Sequence, residues 1–324
     1  MFSFRNSIIL SAVALTAWTA TASAQSVPAG KQMRLIVPYS AGGTSDILGR
    51  KLAEQLGKKL HRPVIVENRA GAGGSIGVEA TVRSDPDGST ILLHSGAIAT
   101  EPAIKHKLPY DVTKDLAAVT TAVRGPFALL VNKSLPVNSV SELVAYAKAH
   151  PNKVNFGTPG VGSSVHFASE YFKAESGAPM MHVPYKGASA SLTGLMSGEI
   201  QMVIDPLATA KKFAEAGKVK ALAVTTAKRT SLWPEMPTVA ESGVPGYDAA
   251  VWYGLYVPAK TPAATVQMLN HEFVSILQSP DMRKWLTLQG LEPVGNTPEE
   301  ARQQLVDEIQ RNIALARKAN IHTD

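Results

Sequence analysis

The chain has 324 residues and no cysteine. That absence excludes a thiol nucleophile, a thiolate zinc site and a lipid-anchored cysteine. A chain this long buries enough apolar surface to fold without disulfides, so an oxidising compartment stays open to it. Charge of one sign is not concentrated either: the formal net charge is +6, spread along the chain with no block of five or six like residues. A nucleic-acid groove is therefore poorly supported, while a mild attraction for anionic solutes is retained. Beyond the first residues no stretch approaches the 18 apolar residues that a membrane span needs.

What is present begins with an export signal. MFSFRNSIILSAVALTAWTATASAQ carries an early cation at Arg5, an apolar core from Ile8 to Trp18 and then Ala22-Ser23-Ala24. This is a secretory leader with an A-x-A site, too short for a membrane helix, and residues 1-24 are expected to leave after Ala24. A soluble periplasmic protein is expected, with net charge +5 once Arg5 is lost from the formal +6.

Short apolar runs alternate with longer periodic stretches, which predicts an α/β fold with largely parallel sheets. The candidate strands are 35–37, 64–66, 90–93, 128–131, 154–156, 201–204 and 221–224. Leu48, Leu52 and Leu56 recur every fourth residue and mark the buried face of a helix. Ser139-Val140-Ser141-Glu142 and Thr297-Pro298-Glu299-Glu300 have capping-box spacing, so helices are expected to start near 140 and 298.

The two halves echo one another. A strand runs into Gly42-Gly43-Thr44-Ser45 and a helix, and a later strand runs into the turn from Gly157 to Ser164 and another helix. A helix start exposes unpaired N–H groups at the positive end of the macrodipole, and glycine lets a ligand approach them. Two such turns facing each other can grip a carboxylate or phosphate without any arginine or lysine. Either turn can equally serve only to end a strand and cap a helix.

Other motifs carry less chemistry. Gly73-Gly74-Ser75-Ile76-Gly77 satisfies G-x-S-x-G, but six residues separate it from the preceding strand, whereas a nucleophile elbow sits on the strand end. Gly71 to Ile76 lacks the last glycine of a dinucleotide fingerprint, and no Walker loop occurs. His166 precedes Glu170 by one helical turn, yet no HExxH or paired-histidine spacing exists, so no metal or cofactor is expected. Asp205 follows an apolar strand, at the carboxyl end where open α/β sheets place ligand groups; a turn carboxylate before Pro206 is the other reading.

Taken in order, "IVPYSAGGTSDILGRKLAEQLG", "VIVENRAGAGGSIG", "SDPDGSTILL", "LPYDVTKDLAAVT", "GTPGVGSSVHFASEYF", "HVPYKGASASLTGLMSGEIQMVIDP" and "YGLYVPAKTP" resemble the Bug family, extracytoplasmic receptors of tripartite tricarboxylate transporters. The resemblance covers the whole mature chain. It implies a two-lobed α/β periplasmic binding-protein fold (type II) with the ligand cleft between lobes, crossed twice by the chain. Lobe 1 would comprise 25-124 and 250-324, lobe 2 would comprise 125-249, and the hinge would lie at Val123 to Pro126 and Gly246 to Trp252.

By position, the resemblance assigns ligand binding to Tyr39, Gly42, Gly43, Thr44 and Asp46 in the first turn, to Ala72 and Gly73 in the next loop, and to Ser95 on the cleft floor. The other lobe contributes Gly162, Ser163, Ser164 and His166, then Tyr185 and Asp205. Two acids in an anion site need an explanation: Asp46 is expected to cap its own helix, and Asp205, if it points inward, to meet a donor or ammonium on the ligand. Tyr39-Ser40 stands where many relatives carry Phe-Pro. Trp252 and Tyr253 line the cleft or pack at the hinge.

The implied protein is a monomeric receptor, not an enzyme, that hands a small organic acid to membrane transporter components or to a sensor protein. Di- and tricarboxylates, acidic amino acids, aromatic acids and nicotinate-like compounds all remain open. A secreted α/β hydrolase using Ser75 or Ser164 is the alternative. A regulator's effector domain is disfavoured by the leader and by the lack of an upstream DNA-binding helix pair.

Overall fold

The computed structural model describes residues 31–105 and 107–322; the leader and its cleavage site after Ala24 lie outside the described residues. The apolar runs become strands and the periodic stretches become helices. In chain order these are β1 (Met33–Val37), α1 (Thr44–Lys59), β2 (Val64–Asn68), α2 (Ser75–Val82), β3 (Thr90–Ser95), α3 (Glu101–Ile104) and β4 (Leu116–Asn132). There follow α4 (Val140–Ala149), β5 (Asn155–Thr158), α5 (Ser164–Ser176), β6 (Met181–Pro184), α6 (Ala188–Ser197), β7 (Met202–Pro206), α7 (Leu207–Glu215) and β8 (Val219–Val224). The chain closes with β9 (Ala250–Pro258), α8 (Ala263–Gln278), α9 (Pro280–Leu288), β10 (Glu292–Pro293) and α10 (Pro298–Ala319).

The strands join in the order β2-β1-β3-β9-β4-β7-β5-β6, with β8 and β10 also paired to β4. β2-β1-β3 and β6-β5-β7 are parallel, whereas β9, β8, β7 and β10 meet β4 antiparallel. The sheet is thus more mixed than the strand pattern predicts. The cause is β4, whose 17 residues are far longer than the run at 128–131 suggested. Residues 116–126 of β4 pair with β9, and residues 127–132 pair with β7 and β8.

Each half of the sheet is covered on both faces. In the first half, Leu35, Leu93 and Leu255 meet Leu48, Leu52 and Leu56 of α1 and Phe273 of α8, while Ile36, Leu92 and Tyr256 meet Val78 of α2 and Leu305 of α10. In the second half, Leu129, Phe156 and Ile204 meet α4 and α5 through Leu143 and Phe172, and Leu130 and Val203 meet α6 and α7 through Leu195 and Leu207. Adjacent residues of one strand enter opposite clusters, as the pleat requires.

Both capping predictions are met at the helix starts. Thr297 and Glu300 form a complete capping box on α10. Ser139 accepts from the Glu142 amide at 3.1 Å, but the Glu142 carboxylate reaches one residue further back, to the Asn138 amide at 2.7 Å.

Gly49 sets how closely α1 lies on the sheet: a Cβ there would come within 2.8 Å of Val37 Cγ2 and 3.4 Å of Leu93 Cδ2. Overfilling a packed core costs about 1–3 kcal/mol. Gly49→Val is expected to lower stability by about that amount in urea denaturation, with the m-value unchanged.

Candidate functional site

Strand polarity decides where ligand groups can gather. β4 runs from the first half into the second, β1 and β3 run the same way, and β5, β6 and β7 run oppositely. Hence Ser95, ending β3, pairs Tyr253, which pairs Val123 just before the crossover, and Pro206, ending β7, pairs Phe127 just after it. The carboxyl ends of both parallel sets therefore point at each other, and every loop there leads into a helix start. Gly43 before α1, Gly74 before α2 and Gly187 before α6 provide no side-chain cap. The first-turn amides of such a helix start are not satisfied by a cap side chain.

Asp46 lies in the first turn of α1 and folds back onto its own loop. Its Oδ2 accepts from the Gly42 amide at 2.9 Å and from Arg50 Nε at 3.0 Å, and its Oδ1 accepts from Asn68 Nδ2 at 3.0 Å. It is 4% exposed, so it is committed to the turn. Arg50 first, then the Gly42 amide, hold its carboxyl down to about 2. Asn68 also donates to the Tyr39 carbonyl at 3.1 Å, and the Tyr39 hydroxyl meets Ser95 Oγ at 2.6 Å. Tyr39, Gly42, Asp46 and Ser95 thus belong to one linked network. Gly43 and Thr44 are exposed at its rim.

The loop of Ala72 and Gly73 joins this group through the segment after β3. His94 is fully buried, and its Nε2 would lie 2.7 Å from a Cβ at Gly74. Its Nδ1 lies 2.8 Å from the Ser95 carbonyl, an arrangement that makes Nδ1 the protonated nitrogen. Ser75 Oγ accepts from Lys105 Nζ at 2.6 Å and contacts Glu101 at 3.3 Å. No imidazole is bonded to it among the described residues; its partners are the Lys105 ammonium and the Glu101 carboxylate.

The start of α5 differs from that of α1. Ser163 Oγ accepts from the His166 amide at 3.1 Å, and the Gly162 amide donates to His166 Nδ1 at 3.2 Å. Gly162, Ser163 and His166 therefore satisfy one another. Ser164 lines a cavity of about 30 Å³ together with Gly96, Thr100, Phe167 and Arg311, room for one or two waters. Thr100 Oγ1 lies 3.0 Å from the Ala97 carbonyl and 3.3 Å from the Gly162 carbonyl, so the two sets of turns are in contact.

Tyr185 and Asp205 lie on the other face of the second half-sheet. The Tyr185 ring packs between Gly157 and Gly194, whose added Cβ atoms would come within 3.1 Å and 2.9 Å of it. Asp205 pairs Ala128 on the strand face of Val203, is 2% exposed and leaves Oδ2 without a hydrogen bond. Burial pushes its carboxyl up to about 7. Trp252 donates to Glu308 at 2.8 Å and is buried against α10. Tyr253 is buried in the cluster under α1. Both aromatics pack in the first half.

The comparisons decide the family at this point. The tripartite tricarboxylate transporter family receptor model matches residues 48–321. The chain belongs to this family. Protein BugT of Bordetella pertussis is 34% identical over 308 residues, 94% of each chain. Among solved structures, R. palustris Rpa4515 with adipate is 35% identical, with a TM-score of 0.75, 91% of this chain and 99% of that one covered. The periplasmic binding protein BugD is 28% identical, with a TM-score of 0.71, covering 90% of this chain and 99% of that one. The mixed α/β fold is that of these periplasmic binding proteins. No helix among the described residues is long and apolar enough to cross a membrane.

Several participants escaped the residue-by-residue reading. Arg50 stands four residues after Asp46, and Lys105 four after Glu101, so helical ion-pair spacing was there to be read. Asn68, His94 and His182 had no such signal. His182 stacks on His166 with ring centroids 3.9 Å apart and meets Thr158 Oγ1 at 2.6 Å.

Two stability windows follow. Burial above all holds His166 down to about 3 and His182 down to about 4, so both stay neutral in the fold while the unfolded chain takes up protons below about 6.5. Stability from this pair is complete above about pH 6.5 and drains toward pH 4; in thermal melts His182→Gln should flatten that decline. Asp46 acts in a lower window: its contribution is present above about pH 4 and lost on approaching pH 2. Asp46→Asn should cost about 2 kcal/mol at pH 7 by chemical denaturation.

Proposed function

We propose that this chain is a periplasmic receptor that captures a small carboxylate-bearing metabolite between its two halves and presents it to the membrane components of a tripartite transporter or to a sensor protein. The observation that carries the reading is the convergence of opposed strand ends on one crossover, with uncapped helix starts at Gly43, Gly74 and Gly187. Such starts accept a carboxylate through main-chain N–H groups, each bond to a charged oxygen contributing about 1.5–3 kcal/mol. The adipate named with the R. palustris relative is a ligand of this chemistry.

In this reading the lobes are 25–124 with 250–324 and 125–249, and they close about the crossings near Val123 to Pro126 and Gly246 to Trp252. The receptor works as a monomer, exported and cleaved after Ala24. Tyr39, Gly42, Gly43, Thr44, Ala72, Gly73 and Ser95 supply the first wall, and Gly162, Ser163 and Ser164 the second. Asp46 and His166 shape their own turns, and Tyr185 and Asp205 support the second lobe's wall from behind.

A thermal-shift screen over dicarboxylates of four to six carbons, citrate, aspartate, benzoate and nicotinate tests this. A true ligand at 100 times its Kd adds about 2.7 kcal/mol and raises Tm by several degrees. Gly43→Pro, which blocks the α1 start, should abolish that rise. A panel that leaves Tm unmoved, or a shift that survives Gly43→Pro, overturns the reading.

A further inference from the structure

The loop from Gly71 to Gly74 takes four successive positive φ angles: 134°, 48°, 72° and 117°. Ala72 carries a side chain in that series, a conformation that L residues avoid. The loop's own main chain supplies two short-range bonds, from the Gly74 amide to the Gly71 carbonyl at 2.9 Å and from the Ser75 amide to the Ala72 carbonyl. A further hold comes from beneath. Lys105 Nζ donates to the Ala72 carbonyl at 2.6 Å, to Ser75 Oγ at 2.6 Å and to Glu101 Oε1 at 3.1 Å. Glu101, 3% exposed, also accepts from the Tyr110 hydroxyl at 2.7 Å.

We infer that Lys105 is a positioning residue for ligand binding, acting through this loop and not on the ligand. An ammonium has three donors, and all three are occupied here. Its charge is matched by Glu101, so the pair adds no net charge at the site. What it adds is geometry: one end fixes the strained Ala72 peptide, another fixes the first residue of α2, and the Gly73 and Gly74 amides between them are held in one orientation. A Cβ at Gly73 would meet Lys105 Nζ at 3.3 Å and Glu101 Oε1 at 3.4 Å, so the loop rests directly on the pair. The inference builds on the proposed carboxylate site, of which this loop is one wall.

The test uses the mature protein, with adipate as the calorimetric probe and hydrogen exchange of amides 71–75 as a second, ligand-free readout. Lys105→Met keeps the aliphatic stem and removes the donors. It should weaken adipate binding at least tenfold and speed loop exchange at least tenfold, with exchange in β1 and β3 unchanged. Lys105→Arg should recover most of both effects. Faster exchange throughout the first half would mean a merely structural role and overturn the inference. So would weakened binding with unchanged loop exchange, which is the signature of direct charge contact with the ligand. If the wild type binds no acid, the carboxylate reading fails separately, and loop exchange alone decides the role of Lys105. Should Lys105→Met not fold, Glu101→Gln, which loosens the same anchor while keeping its shape, is expected to move both readouts in the same direction by a smaller factor; no change in either would overturn the inference.

Discussion

One strand governs the arrangement. β4 passes without a break from one half of the molecule to the other, so the parallel strands of the two halves are obliged to run in opposite senses. Loops that follow parallel strands emerge at carboxyl ends, and opposed sets joined by one through-strand must present those ends to each other. Convergence of the helix starts is thus a consequence of pairing register, fixed by the apolar faces of β4 that enter four separate clusters. A one-residue slip would exchange those faces and expose the core, which ties the geometry of the site to the stability of the sheet.

An anion site on main-chain donors must keep the protein's own carboxylates from occupying it. Asp46 stands at such a start and is neutralised locally by Arg50, Asn68 and the Gly42 amide. Asp205 reaches the same end by a different route, since burial without a partner favours its uncharged form near neutrality. The two walls are unequal as well. Ser163 and His166 already satisfy part of the α5 start, while α1 and α2 leave theirs uncapped.

Six of the seven apolar runs became strands whose buried faces leave a contiguous signature, while 64–66 formed the half-exposed edge strand β2; the glycine turns were legible because positive φ at Gly42, Gly73 and Gly162 calls for that residue. The length of β4 was hidden. Its first part, LAAVTTAVRGP, mixes threonine, arginine, glycine and proline, each tolerated there by a long-range partner: Thr120 and Thr121 bond Asn296, and Arg124 pairs Asp248. Such partners lie more than a hundred residues away along the chain, where no local pattern can show them. The stacking of His182 on His166 was hidden because the two rings come from different elements, β6 and α5, and so was the packing of the Tyr185 ring between Gly157 and Gly194.

The halves are linked by more than the two crossing strands. Helix α10 packs on β4 and α3 of the first half, yet its last turns also meet α5 of the second. Leu315, Ala316 and Ile321 share a buried cluster with Phe167 of α5 and Ile104 of α3, and the Arg311 guanidinium lies 5.2 Å from the Tyr171 ring centre. Any relative displacement of the two halves would move α5 along this surface. The contacts suit sliding, because apolar packing is non-directional and a cation over a ring tolerates displacement better than a hydrogen bond does. Directional links also join the halves: Thr230 Oγ1 donates to Glu292 Oε1 at 2.7 Å, and Thr100 Oγ1 lies 3.3 Å from the Gly162 carbonyl beside the turns. Displacement of one half against the other would therefore have to break the Thr230–Glu292 bond as well as the contact beside the turns.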